Sequence, residues 1–458
     1  MSQFEYSIEK ANAFINNNHN AIVNNTFKPE VHFSAPIGWI NDPNGFVYFR
    51  DEYHLFYQYY PYDSVWGPMH WGHAKTKDFV EWEHLPIALA PDMPYDKDGC
   101  FSGSAIVKDD TLWIMYTGNI IDSKNGNRQV QNIAFSKDGI HFQKLASNPV
   151  ATGEILPSDL IPSEFRDPKL FEKDGCYYSV VAAQHKNQVG CIVLLSSENL
   201  VDWSFESIFL EGKKGQGKMW ECPDYFEIDG ESYLVLSPMR YPKDGNHYTN
   251  INSAVIFKGK VDWQQKIFLF ESVKELDQGH DFYAPQTLID DKGRRLMISW
   301  MHTWGRTVVT HELKHHWSGQ MTIPRVLKVE NNTIKQEFIE EVIEKLPIID
   351  VNKVSEGPGV LTIDIDGSFE MKLGSEGDYI TFGYTDKYNS VYIDRSKQAL
   401  KIIGEEEWDT SIKAVNISAE KLKVVIDKSS IEILINDGEA ALTSTYFIQG
   451  GHKLQKLI

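Results

Sequence analysis

This sequence predicts an all-β protein, a five-bladed β-propeller followed by a C-terminal β-sandwich, and three observations carry the prediction. The strings GHAKTKDFVEWEHL, NIAFSKDGIHFQKL, VLLSSENLVDWSFE and VIFKGKVDWQQKIF repeat along the chain with an aromatic at Trp82, Phe142, Trp203 and Trp263, at spacings of 60, 61 and 60 residues. A second series, out of phase with the first, has five members: NDPNGFVYFRDEYHLFYQY, FSGSAIVKDDTLWIMYTG, RDPKLFEKDGCYYSVVA, ECPDYFEIDGESYLVLS and YAPQTLIDDKGRRLMISW. Beyond residue 330 the period stops, and GVLTIDIDG, FEMKLG, DYITFGY, SVYIDR, LKVVIDKSSIEILINDG and ALTSTYFI follow as alternating strands with turn residues between them.

Each member of the second series reads as strand, polar turn, strand, because Arg-Asp, Asp-Asp, Asp-Gly and Lys-Gly pairs tolerate the positive φ of tight hairpins. A unit of about 60 residues holds four strands, and five such units close into a propeller. The expected organisation is an Asn-rich extension over 1–30, packed outside as a short helix or loop, a propeller over 31–335, a connector over 336–349 and a sandwich over 350–458.

Composition narrows the function. A net charge of −19 excludes the basic face that nucleic acid or an anionic membrane requires. The first residues, MSQFEYSIEKANAFINNNHNAIVNN, contain no basic segment leading into an apolar run, and no stretch of 18 apolar residues occurs, so the expected location is cytoplasmic. The four cysteines, Cys100, Cys176, Cys191 and Cys222, lack metal-ligand spacing, so neither metal nor cofactor is expected. Aromatics at 12% suit strands and sugar-stacking surfaces.

Aligned hairpins place Asp42, Asp167 and Glu221 at nearly one position, one or two residues before the proline of the first strand in blades one, three and four. Phe101-Ser102 and Tyr283 hold the matching places in blades two and five. First strands line a propeller's channel, so the three acids converge. Crowded carboxylates raise one another's pKa and destabilise the fold unless chemistry uses them. An Asp before a proline also caps turns, but three equivalent acids among Trp39, Trp66, Trp71, Trp220 and Trp300 fit glycoside hydrolysis, where paired carboxylates flank the scissile bond. Asn41, Gln58 and Trp66 add amides and an aromatic face for a sugar.

WINDPNG, FYQYYP, WGPMHWGHA, FSGSA, FRDPK, WECPD and VIDKSSIEILINDGE, in that order, resemble the β-fructofuranosidases of glycoside hydrolase family 32 across almost the whole chain. The resemblance implies the same propeller and sandwich, with Asp42 as nucleophile, Asp167 as transition-state stabiliser and Glu221 as general acid/base. It implies that Asn41, Gln58, Trp66, Phe101, Ser102 and Arg166 touch the fructosyl unit; Trp39, Tyr283 and Trp300 are expected beside them in the pocket.

The expected activity is release of terminal β-fructofuranosyl units from sucrose or sucrose 6-phosphate by double displacement, with short fructo-oligosaccharides as the alternative substrate. Retention expects the catalytic carboxyls about 5 to 5.5 Å apart, a protonated Glu221, and an ionised Asp42 held by its turn's N–H groups and the Asn41 amide. An inverting furanosidase of glycoside hydrolase family 43 and a non-catalytic sugar-binding propeller are the competing readings. Two basic loops are candidate phosphate sites: one carries His302, Arg306, His311, Lys314, His315 and His316, the other Arg240, Lys243 and His247.

Overall fold

Arg50-Asp51, Asp109-Asp110, Asp174-Gly175 and Asp229-Gly230 all adopt left-handed φ, from 48° at Asp109 to 81° at Gly230, and each reverses the chain between two antiparallel strands. Two consecutive positive φ values match the twist of the flanking strands, so these dipeptides set the hairpin register. The computed structural model describes residues 5–404 and 411–458. In it these hairpins form the inner halves of four of the five blades.

Blade I is Gly38–Phe49, Glu52–Tyr60, His70–Thr76 and Glu83–Leu89; blade II is Cys100–Lys108, Thr111–Ile120, Arg128–Ser136 and Gln143–Lys144. Blade III comprises Leu160–Lys173, Cys176–His185, Gly190–Ser197 and Ser204–Glu211, and blade IV Trp220–Ile228, Glu231–Pro238, Val255–Asp262 and Ile267–Glu275. Blade V is Tyr283–Ile289, Arg295–Trp300, Arg325–Glu330 and Thr333–Phe338, so its last strand runs past residue 335. Each inner strand packs on the next, and that of blade V returns to blade I. Trp317–Ser318 fastens the ring by parallel pairing with Gly38 and Trp39.

The 60-residue aromatic repeat marks the turn between the third and fourth strands of blades I to IV. Asp78, Asp138, Asn199 and Asp262 each accept two backbone N–H bonds there through Oδ1. The hydroxyls of Thr76, Ser136 and Ser197 accept a third, from the positive-φ residues Phe79, Gly139 and Leu200. Side chains replace the missing ladder partners, which is why Ser/Thr and Asp/Asn recur at this spacing.

Halfway along the channel the inner strands are bonded side chain to neighbour. Lys169 Nζ lies 2.8 Å from Asp224 Oδ2, which accepts the Thr287 N–H at 2.6 Å. Gln286 takes the Phe46 N–H at 3.2 Å and donates to Gly103 O at 2.7 Å, and the Ser104 hydroxyl takes the Leu170 N–H at 2.8 Å. This buried belt divides the channel into two separate pockets.

The sandwich stacks a four-stranded sheet (Gly359–Asp364, Lys421–Ile426, Ser430–Ile435, Ala440–Thr445) on a five-stranded one (Ile412–Asn416, Ser390–Asp394, Asp378–Thr385, Phe369–Ser375, Leu454–Lys456). Along Ser430–Ile435 the residues Ile431, Ile433 and Ile435 enter the sandwich core, while Leu434 joins the core beneath blades I and V. Glu432 faces the propeller too. Its Oε1 lies 2.9 Å from His32 Nε2 and its Oε2 2.5 Å from Arg325 Nη2, while Asp427 Oδ2 lies 2.9 Å from His32 Nδ1. The VIDKSSIEILINDGE string thus supplies the sandwich half of a buried ion network.

Ahead of the propeller, the helix Ile8–Ile22 is capped by Ser7, whose hydroxyl accepts the Lys10 N–H. It buries Ala11 and is tied to blade I by the Ile87 N–H, which donates to Asn12 Oδ1 at 2.9 Å. Among the described residues no helix is long and apolar enough to cross a membrane.

Candidate active site

All five inner strands are irregular at one level, near their N-terminal ends. The pairing slips between Ile40 and Pro43, between Phe101 and Gly103, between Arg166 and Lys169, between Glu221 and Asp224, and between Tyr283 and Gln286. Pro168, Pro223 and Pro285 lie inside three of the slips and Pro43 ends another, where a missing N–H forfeits no ladder bond. The residue before proline is left-handed in blades III to V, with φ 63° at Asp167, 51° at Cys222 and 53° at Ala284. Non-glycine residues hold this conformation only under tertiary constraint. Here the bulges turn Asp42, Asp167 and Glu221 into one pocket.

Cys222 lies between two of the acids. Its Sγ is 3.6 Å from Asp42 Oδ2 and 3.6 Å from Asp167 Oδ2, and its N–H donates to Asp167 Oδ2 at 3.0 Å. Burial, then the Asp167 and Asp42 charges, hold the thiol far above its ordinary pKa, so it remains an S–H donor.

Asp42 accepts the Asn41 amide at 3.0 Å on Oδ1 and the Ser102 hydroxyl at 2.7 Å on Oδ2. The second donor is a side chain of blade II, not the turn N–H expected from the sequence. Burial raises the Asp42 pKa; the Asn41 and Ser102 donors oppose it and Glu221 adds to it. Asp167 is pushed up to about 7, first by burial, with Arg166 opposing and the Glu221 and Asp42 charges adding.

Glu221 is gripped on both oxygens. Arg166 donates to Oε1 from Nε at 3.1 Å and Nη2 at 2.9 Å, and the Tyr283 hydroxyl stands 2.5 Å from Oε2. Arg166 Nη1 continues to Glu164 at 2.7 Å and Gln129 at 3.2 Å, so four of the guanidinium's five N–H bonds are used within the site.

The pocket encloses about 460 Å³, and Asn41, Asp42, Gln58, Trp66, Phe101, Ser102, Arg166, Asp167 and Glu221 all line it. Trp66, 45% exposed, stands at the lip, its ring edge-on to Phe101. Three expected contacts are corrected. Trp39, Tyr283 and Trp300 are at most 4% exposed and lie behind the wall. Trp39 Nε1 donates to Asn41 Oδ1 at 2.8 Å and its ring stacks on Trp304, which is the aromatic lining the pocket from this side. Trp300 packs between Trp39 and His302, and Tyr283 reaches only Glu221 and Ser237 O. Trp39 and Tyr283 lie on inner strands, where an aromatic faces the channel or the blade core according to register, which the bulges shift, and Trp300 lies on the second strand of blade V.

None of the charged residues of the two basic loops is among those lining the pocket. Arg306 is buried against Asp281 and Asn250, His302 stacks on Trp300 and His315 on Phe27, while His311 meets Ser64 and His247 meets Gln278. Sequence reasoning missed Gln129, Glu164, Gln184, Lys218, Met219, Met239 and Trp304 as lining residues. Most come from second or third strands and connecting loops, and only Glu164, just ahead of FRDPK, and Lys218 and Met219, just ahead of WECPD, had a neighbouring motif to flag them.

Fold and site together define a carbohydrate hydrolase: three carboxylates converge in a sugar-sized blind pocket whose amide, hydroxyl and aromatic lining suits a polyol. The model of the glycosyl hydrolases family 32 N-terminal domain matches residues 32–338 and that of the family's C-terminal domain residues 352–454, and the chain belongs to this family of retaining fructosidases. It is 36% identical to the sucrose-6-phosphate hydrolase of Escherichia coli over 445 residues, 93% of this chain and 90% of that one. A raffinose invertase of Escherichia coli is 34% identical over 444 residues, 93% and 90% of the two chains. The family 32 β-fructofuranosidase of Bombyx mori, solved as a mutant with sucrose, superposes with a TM-score of 0.86 at 32% identity, over 99% of this chain and 96% of that one.

Proposed function

We propose that this retaining β-fructofuranosidase cleaves sucrose and sucrose 6-phosphate, with Asp42 as nucleophile, Glu221 as acid/base and Asp167 as the stabilising carboxylate. Asp42 attacks the anomeric carbon of the terminal fructosyl ring while Glu221 protonates the departing glycosidic oxygen. Asp167 balances the oxocarbenium charge between them. Water deprotonated by Glu221 then releases fructose from Asp42 with its configuration retained.

The observation that carries this reading is the convergence of the three acids in a pocket with one mouth. The belt of Lys169, Asp224, Thr287 and Gln286 closes the channel beneath it, so a chain end enters but a chain interior cannot pass through. The Escherichia coli and Bombyx mori relatives support the substrate class. With an Arg166 fork on Oε1 and Tyr283 at Oε2, Glu221 is held in one orientation beside the leaving oxygen.

The test is the anomer of fructose first released from sucrose, followed by NMR before mutarotation. The β-anomer is expected, and initial α-fructose would overturn the double displacement. Asp42→Asn should fold as the parent does yet retain less than about a hundredth of kcat, a loss of about 2.7 kcal/mol in transition-state stabilisation. A larger residual rate would remove Asp42 from the nucleophile's role.

A further inference from the structure

Two cations line the pocket, Arg166 and Lys218, and the first is engaged by carboxylates. Among the described residues no acid pairs with Lys218. We propose that Lys218 recognises the phosphoryl group of a phosphorylated leaving sugar and so sets the preference for sucrose 6-phosphate over sucrose, an inference that rests on the β-fructofuranosidase reading above.

The backbone of Lys218 is pinned while its ammonium is not. Its N–H donates to Met239 O at 3.1 Å and its carbonyl accepts the Gln184 side-chain amide. Two residues further on, Trp220 is buried, with Nε1 donating to Gln216 O at 2.7 Å, so the loop is anchored on both sides of the lysine. A side chain mounted on a fixed base forfeits less entropy when it meets a ligand.

Position assigns it to the leaving group. By the family resemblance Asn41, Gln58 and Ser102 touch the fructosyl unit, and Asn41 and Ser102 bond Asp42, whereas Lys218 lies three residues before Glu221, the proposed donor to the departing oxygen. Its neighbours on that rim are Met239 and Gln184.

Charge distribution places a phosphate at the rim and nowhere deeper. The pocket wall carries Asp42, Glu164, Asp167 and Glu221 against Arg166, so its interior repels a dianion. The loop 212–219, GKKGQGKM, has three lysines and no acid, and its exposed Lys213 and Lys214, like Lys218, have no acidic partner among the described residues. A lysine is a compact charge suited to a phosphoryl group that hangs on a rotatable bond.

The experiment compares kcat/KM for sucrose 6-phosphate and sucrose in the parent, Lys218→Gln and Lys218→Arg. The parent should favour the phosphorylated sugar by at least about tenfold, and added salt should shrink that ratio. In Lys218→Gln the ratio should fall about tenfold, mainly through KM, and lose its salt dependence; Lys218→Arg should restore most of it. A parent ratio near one, an unchanged ratio in Lys218→Gln, or an equal loss on both sugars would each overturn the role of Lys218 and leave the fructosidase reading standing. Failure of the parent on both sugars would instead overturn that reading.

Discussion

The Tyr283 hydroxyl stands 2.5 Å from Glu221 Oε2 and 2.9 Å from the carbonyl oxygen of Ser237, and it has one proton for two acceptors. With Glu221 ionised, Tyr283 donates to the carboxylate. With Glu221 protonated, the carboxyl donates to Tyr283, whose own proton then turns to Ser237 O. The tyrosine thus accommodates both states that a group acting first as acid and then as base must visit. Tyr283→Phe should lower kcat by about tenfold, roughly one lost hydrogen bond to a charged group, with KM little changed. Steady-state kinetics on sucrose checks this, and a change confined to KM would contradict it.

Glu221→Gln cannot protonate a leaving oxygen. Its fructosyl transfer should fail on sucrose by more than about a hundredfold but recover for an aryl fructoside whose phenolate leaves unaided. A pre-steady-state burst of the phenol, followed by slow turnover, is the expected signature, and equal loss on both leaving groups would argue against the acid role.

Asp167, with its pKa pushed up to about 7, burdens the fold. The unfolded chain releases this proton near pH 3.9 and the native protein near 7, so the penalty grows between those values and is full above them. Asp167→Asn should therefore be inactive yet more stable at pH 8, by about 2 kcal/mol, with the gain shrinking towards pH 5. Urea unfolding at the two pH values measures it.

His32 works in the opposite sense. Burial alone would neutralise it, but hydrogen bonds to Asp427 and Glu432 overcome this and raise its pKa to about 9. Its contribution is complete below the unfolded value of about 6.5 and is lost as pH rises through about 9. Melting of the parent should fall over that window. His32→Ala, which leaves two buried carboxylates short of a cation, should cost about 3–5 kcal/mol at pH 7.

Local chemistry was legible because it is written within a few residues. Tight-turn pairs such as Asp174-Gly175, the aromatic period from Trp82 to Trp263 and the prolines after Asp42 and Asp167 need no distant partner to act, and they reveal the blades, the sandwich and the acids together. The partners of those acids were not legible as geometry. Arg166 meets Glu221 across 55 residues of chain and Tyr283 meets it across 62, and both contacts exist because the inner strands of neighbouring blades pack on one another. Register at the bulges, a property of pairing between strands, hid Trp39 and Tyr283 behind the wall, and the loop after Arg295–Trp300 brought Trp304 to the pocket instead. The fate of the cations was decided over longer distances still. Arg306 was taken up by Asp281 and Asn250 and His32 by a glutamate 400 residues away, whereas Lys218 has no acidic partner among the described residues, because a buried charge must be paired and a rim lysine need not be.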